Sequence, residues 1–132
     1  MARDNLEVVK RYIADFESGV FEPSLDDVAD DVKVDWSESK APYGGIYSGH
    51  AGWRRLFSEL QASFEGVRVE VHDYVVAGSH VAANNTSHLR GRGDIEVTAT
   101  STTVLTFSDG KITEVKLFQE HADALKAIGA EP

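Results

Sequence analysis

The sequence contains no cysteine, and this absence excludes several classes of protein. Without thiols the chain forms no disulfide framework, thiol nucleophile or thiolate zinc site, and it suits a reducing compartment. No apolar run approaches membrane-spanning length, and no apolar signal core follows residues 1–5, so we expect a cytoplasmic protein without a membrane partner. The chain has 22 acidic residues and only 13 basic ones, and the basic residues are scattered along the sequence. A phosphate backbone would be repelled by this charge balance, so we expect no nucleic-acid partner.

The composition that remains is that of one globular domain. Of 132 residues, 42% are hydrophobic and 27% are charged, which is close to the average for folded domains. A chain of this length can bury most of the surface that its unfolded form exposes. We therefore predict a single domain over residues 1–132.

Four segments have the features of helices. Leu6, Val9, Ile13 and Phe16 recur at helical spacing in the first, and a broad apolar stripe begins at Trp53 in the third. A hydroxyl and a carboxylate at the start of the second segment suit the first turn of a short helix. The predicted helices are Asp4–Ser18, Ser24–Ala29, a third that starts near His50 and carries the apolar stripe from Trp53 to Phe64, and Ala122–Ile128.

The rest of the chain is dominated by alternating apolar and polar residues, which predict strands. Short connections between the last four strands indicate an antiparallel meander. The predicted strands are Val32–Trp36, Ile46–Ser48, Val67–Ala77, Val81–Leu89, Ile95–Phe107 and Ile112–Gln119. A sheet and helices with one apolar face each are stable when the sheet wraps the helices, which predicts an α+β fold with a tapered interior.

Three short segments resemble the NTF2-like superfamily, whose best-known enzymes are ketosteroid isomerase and the SnoaL-type polyketide cyclases. They are Val8–Tyr12, Ala29–Asp35 and Asp109–Ile112, and the tail Phe118–Gly129 is more similar to the SnoaL-like branch. The resemblance implies a cone in which a curved antiparallel sheet wraps three helices of the N-terminal half around an internal pocket. It also implies a homodimer through the outer face of the sheet, where a strip of threonines (Thr98, Thr100, Thr102 and Thr106) can meet a partner.

The resemblance assigns roles residue by residue. Tyr12 matches the isomerase tyrosine that donates a hydrogen bond to the developing oxyanion. The isomerase base falls on Trp36, with Asp35 one residue early, and a slip of one residue reverses a side chain's face. Thr103 occupies the position of the second oxyanion donor, a protonated aspartic acid in the isomerase. Glu120 is the residue nearest to the acid/base of the cyclase branch.

One strand face carries polar residues in a row. Asn84, Thr86 and His88 share this face, and alignment with the isomerase turns it toward the cavity. His88 would then be a general acid or base, since imidazole titrates near neutral pH. The alternative is that the face is outward, because Val81 and Ala83 lie on the opposite one.

Further residues are predicted to line the pocket, although aromatic residues at these spacings are also common in a core. Tyr43 and Tyr47 are expected at its mouth, or in a surface loop. No histidine pair has the i, i+4 spacing of a helical metal site and no thiolate is available, so we predict no metal. The proton-transfer chemistry expected below needs no cofactor. The predicted lining is Phe16, Trp36, Tyr43, Tyr47, Phe57, Asn84, Thr86, Ser101, Leu105 and Phe118.

The leading hypothesis is a cofactor-independent isomerase, cyclase or hydratase acting on a small apolar, oxygenated molecule. His88 or Glu120 would be the base, with Asp35 in reserve, and Tyr12 and Thr103 would donate hydrogen bonds. The alternative is a non-catalytic ligand-binding or dimeric interaction module. An ionisable side chain inside an enclosed cavity favours catalysis, whereas a cavity filled by aromatic and aliphatic side chains favours the module.

Overall fold

The computed structural model describes residues 5–17, 28–37, 45–91, 93 and 95–129. Within them lie three helices, α1 (Asn5–Glu17), α2 (Gly49–Ser63) and α3 (His121–Ala127). The strands are β1 (Val28–Asp35), β2 (Ile46–Ser48), β3 (Phe64–Ala77), β4 (His80–Gly91), β5 (Glu96–Ser108) and β6 (Lys111–Phe118). This is the predicted α+β class.

Helices α1 and α2 pack on one face of the sheet through their apolar stripes. Val9 and Ile13 of α1 are buried, as are Trp53 and Leu56 of α2. The rings of Tyr12 and Trp53 meet edge to face, with centroids 5.6 Å apart. No helix in the described part of the chain is long and apolar enough to cross a membrane.

The strands form one curved, open sheet in the order β2-β1-β6-β5-β4-β3. The predicted meander is confirmed, because β3 to β6 pair antiparallel in sequence order. One pair departs from the antiparallel expectation: β1 runs parallel to β6, while it pairs antiparallel with β2. Strand β1 thereby covers the free edge of β6, whose backbone groups would otherwise lack partners there.

Several predicted boundaries differ from the structure, and so does the number of helices in the N-terminal half. Val28 and Ala29 belong to β1 and not to a helix, since Val28 is a buried strand residue paired with Ile112; the rest of that predicted helix lies outside the described residues. Phe64 opens β3 instead of ending α2. Only two of the described helices, α1 and α2, belong to the N-terminal half, and α3 packs on the opposite face of the sheet.

Both faces of the middle of the sheet are covered. The larger core lies between the sheet and helices α1 and α2. A smaller core lies under α3 and consists of Ala82, Val104, Phe118, Ala124 and Leu125. Thr102 is also fully buried on this face, where its Oγ1 lies 3.0 Å from Nδ1 of His121 in α3. The predicted threonine strip is therefore interrupted by α3, and the dimer through it stays a prediction.

Candidate functional site

A cavity of about 50 Å³ lies between α1 and the inner face of the sheet. A single buried water needs roughly 10–15 Å³ of cavity volume measured in the same way, so the cavity has room for a handful of non-hydrogen atoms. Pockets for drug-sized ligands are larger, at about 300–1,000 Å³. The lining residues are Tyr12, Ile13, Trp36, Val69, Asn85, Ser87, Ser101, Thr103, Leu105 and Leu117.

Neighbouring strands β4 and β5 give the cavity one polar wall. At its centre is Asn85, only 4% exposed and paired across the strands with Ser101. Asn85 Nδ2 donates to the carbonyl oxygen of Ala83 at 2.9 Å and faces Thr103 Oγ1 at 3.5 Å. Ser87 Oγ donates to Asn85 Oδ1 at 3.4 Å. Buried polar groups are normally satisfied in this way, so the wall is an ordered network.

The other walls of the cavity are largely apolar. Ile13 comes from α1, Leu105 and Leu117 come from β5 and β6, and Val69 comes from β3. Trp36 follows the end of β1, where its backbone nitrogen donates to the carbonyl oxygen of Gly45 at 2.8 Å. A ligand here would have one polar edge and an apolar remainder.

Tyr12 is the lining residue with a titratable side chain among those described. Burial raises the pKa of Tyr12 above its ordinary value, because the phenolate would lose hydration. At neutral pH the side chain is therefore a phenol that keeps its proton. It can donate a hydrogen bond but does not act as a base.

Five residues expected at the pocket do line the cavity: Tyr12, Trp36, Ser101, Thr103 and Leu105. They come from three separate parts of the chain that the fold brings together. The structure assigns them a place, and their chemical roles stay predictions.

The face expected to carry Asn84, Thr86 and His88 into the cavity is the wrong one. Asn84 Nδ2 donates to Asp73 Oδ1 at 3.1 Å on the outer side of the sheet, and the hydroxyls of Thr86 and Thr100 lie 3.1 Å apart there. His88 shares their parity, and its Nε2 lies 3.7 Å from a carboxylate oxygen of Glu70. The weighed alternative, an outward polar face, is the arrangement observed.

The residues that do face inward on β4, Asn85 and Ser87, were missed. The sequence carried a signal for them, since Val81, Ala83 and Leu89 have the same parity and all are buried in the larger core. Two asparagines and several hydroxyls in a row hid that signal, because both faces are polar in the middle of the strand.

The two carboxylates proposed for acid/base chemistry lie away from the cavity. Glu120 is exposed and immediately precedes α3. Asp35 is 8% exposed, and its Oδ1 accepts hydrogen bonds from Ser37 Oγ at 2.6 Å and Ser37 N at 3.1 Å. Burial alone would raise the pKa of Asp35, but these hydrogen bonds and the charges of Lys116 and Lys33 hold it below its usual value. Asp35 is an ionised structural group.

Two predicted lining residues serve as packing elsewhere. Tyr47 is buried in the larger core, and its hydroxyl donates to Glu59 Oε2 at 2.7 Å. Phe118 belongs to the smaller core under α3, with Lys116 Nζ 5.0 Å from the centre of its ring. Tyr43 and the side chains of Phe16 and Phe57 lie outside what the structure describes, so their predicted roles are untested.

In the described ranges, no group of three or more His, Asp or Glu side chains is placed to hold a metal ion. The cavity lining contains hydroxyls, one amide and apolar groups, which are weak ligands for transition metals. What the site offers a guest is hydrogen bonding on one side and apolar contact on the others.

A curved open sheet that wraps two helices around a small internal cavity defines the NTF2-like class of fold. The model of the SnoaL-like domain matches residues 9–115, and the chain belongs to this family of the NTF2-like superfamily. No curated protein matches the chain.

Solved structures show the same fold at low sequence identity. An NTF2-like protein of unknown function from Burkholderia pseudomallei superposes with a TM-score of 0.77 at 18% identity, over 96% of this chain and 98% of that one. TerC, co-crystallised with polyporic acid, gives 0.75 at 21% identity over 96% and 98%. An LEH-like epoxide hydrolase from M. tuberculosis gives 0.69 at 18% identity over 94% and 88%.

Proposed function

We propose that this protein binds a small, uncharged molecule, or the end of a larger one, that carries an oxygen on an otherwise apolar body. The observation that carries the proposal is the buried hydrogen-bonded wall of Ser87, Asn85 and Thr103 facing the apolar side chains of Leu105 and Ile13. Ligand sites in proteins typically combine apolar walls with a few placed polar groups. TerC, a protein of the same fold, was co-crystallised with polyporic acid, and this supports a small-molecule role for a fold of this kind.

The size of the cavity limits the ligand. A cavity of about 50 Å³ fits a small molecule or the end of a larger one, since pockets that bury a whole drug-sized ligand are roughly 300–1,000 Å³. The charge of the ligand is limited as well, because no cationic side chain is among the described lining residues. An isolated buried charge would cost far more than a few hydrogen bonds return.

Proton-transfer catalysis on such a molecule is the second candidate. The protonated phenol of Tyr12 supports it, since a fixed donor stabilises an oxyanion as it develops. A base is the missing part: His88 and Glu120 lie elsewhere, and the described lining includes no carboxylate or imidazole. Binding is therefore the function that these contacts favour.

Titration with isopropyl methyl ketone, followed in amide proton–nitrogen correlation spectra, tests the binding proposal. We expect saturable shifts at Tyr12, Asn85 and Thr103. A Ser101→Leu variant should abolish them by filling the cavity, whereas the control Thr98→Leu, on the outer face of the same strand, should not. Shifts confined to the outer face, or unchanged binding to Ser101→Leu, would contradict the proposal.

The same ketone separates binding from catalysis. In deuterated water, an enolising enzyme would exchange the hydrogens next to the carbonyl group faster than buffer does. We expect no acceleration from this chain. Acceleration that is lost in Tyr12→Phe would establish the catalytic candidate instead.

A further inference from the structure

The side-chain amide of Asn85 has a fixed orientation. The carbonyl oxygen of Ala83 only accepts hydrogen bonds, so the atom of Asn85 that lies 2.9 Å from it must be the nitrogen Nδ2. The second amide hydrogen faces Thr103 Oγ1 at 3.5 Å. Because both hydrogens are assigned, Asn85 offers a ligand only its oxygen, Oδ1, as an acceptor.

Thr103 offers a ligand a hydrogen-bond donor. Its hydroxyl oxygen is the acceptor in the contact with Asn85, so its own hydrogen remains a donor. The contacts of 3.4 Å and 3.5 Å in this network exceed the usual range of about 2.7–3.2 Å. The Asn85 oxygen has two lone pairs, so it can accept from a guest in addition to Ser87.

The donor and the acceptor lie on neighbouring strands of the same cavity wall. Thr103 pairs across the strands with Ala83, two residues from Asn85 on β4, and both side chains line the same cavity. The wall thus presents a donor and an acceptor to one cavity, and we expect a single planar group on a ligand to meet both.

We propose that the ligand carries a carboxamide edge, whose carbonyl oxygen accepts from the Thr103 hydroxyl and whose N–H donates to Asn85 Oδ1. This inference rests on the proposed binding function and names its ligand class. A ketone of equal shape satisfies Thr103 but gives Asn85 Oδ1 no donor, and a site built to hydrogen-bond a group discriminates against an analogue that lacks it. A carboxylate brings a charge that no described lining residue neutralises.

Three probes that share the isobutyryl group and have similar shapes test the inference: isobutyramide, isopropyl methyl ketone and isobutyrate. Each is titrated into the unmodified chain, and dissociation constants are taken from amide shifts of the cavity residues. One additional hydrogen bond of about 1 kcal/mol corresponds to roughly fivefold tighter binding, so we expect isobutyramide to bind about five- to tenfold more tightly than the ketone. Isobutyrate should give no saturable shift at Asn85 or Thr103.

Variants connect the preference to its residues. Asn85→Leu should bring the ratio of amide to ketone affinity close to one, and Thr103→Val should weaken both probes. Thr86→Val, on the outer face of β4, is the control and should leave the ratio unchanged. If Asn85→Leu does not fold, the ratio of amide to ketone affinity measured on the unmodified chain still tests the carboxamide proposal.

The outcomes separate this inference from the function beneath it. Equal affinities for amide and ketone, both mapped to the cavity, overturn the carboxamide edge and leave small-molecule binding intact. If no probe shifts the cavity residues, both proposals are overturned. Preferred binding of isobutyrate would also overturn both, since both require an uncharged ligand.

Discussion

Replacement of Leu105 by alanine tests whether the cavity lies in a rigid interior. Leu105 is fully buried, lines the cavity, and pairs with Val81 on one side and Val115 on the other. Its truncation would enlarge a void that already exists. Strand β5 is held by hydrogen bonds to both neighbours, so the backbone has little freedom to collapse into the space.

The expected loss follows from buried leucines in general. Leu→Ala substitutions at fully buried sites cost about 2.7–5.0 kcal/mol, with larger costs where the cavity persists. We expect about 3–4 kcal/mol here, a large part of a total stability that is on the order of 5–15 kcal/mol. With a urea dependence of about 2 kcal/mol per molar, the unfolding midpoint should fall by about 1.5–2 M.

Equilibrium urea unfolding, followed by the fluorescence of the two tryptophans, Trp36 and the buried Trp53, measures this change. Val97→Ala is the control, because Val97 lies on the same strand but is 38% exposed, and it should cost less than about 1 kcal/mol. If Leu105→Ala does not fold, Leu105→Val should still lose about 1 kcal/mol. A loss below about 1 kcal/mol for Leu105→Ala would refute the rigid interior and show that neighbouring side chains collapse into the vacated space.

Three further substitutions test other contacts. The pKa of Asp35 is lowered in the folded state, so its carboxylate contributes stability that is present above about pH 4 and is lost as pH falls through the lower folded value. The Asp35→Asn variant should therefore be less stable than the unmodified protein at pH 7, and its urea midpoint should fall less between pH 4 and pH 2. Urea midpoints that fall equally in the two proteins between pH 4 and pH 2 would contradict this. Gly52→Ala should lower the melting temperature, because the added Cβ would lie 3.0 Å from the backbone of Tyr47. This outcome is expected although alanine favours helices over glycine by about 1 kcal/mol. A higher melting temperature would show that the backbone of Tyr47 moves aside. Thr102→Val should cost about 1 kcal/mol and speed amide exchange in α3 by removing the hydroxyl beside His121, whereas unchanged exchange would mean that this contact does not hold the helix.

Periodicity in the sequence predicted the elements better than it predicted which way their side chains point. A period of two places Asn84 with Thr86 and Asn85 with Ser87, but it does not say which pair is inside. On β5 the choice was simple, since Leu105 and Phe107 mark the inner face. On β4 the buried residues at both ends of the strand, Val81 and Leu89, were the better guide than the alignment.

The candidate site was predictable where the family resemblance or a strongly apolar strand fixed it, as for Tyr12 and Leu105 respectively. It was not predictable where the chain leaves regular structure. Glu120 and Phe118 lie near the end of β6 and were expected inside, but the position of α3 on the outer face decides where they go. Packing of that kind depends on contacts between distant segments, which periodicity does not encode.

The parallel pairing of β1 with β6 also constrains how the chain reaches its native state. Val34 can find Val115 only after the whole meander has been synthesised and has left the ribosome. Contacts this far apart in sequence slow folding, because the entropy of closing a long loop is lost before the contact forms. In nascent chains that contain only β1, β2 and α2, the edge of β1 that later meets β6 would therefore stay open to pairing with other chains.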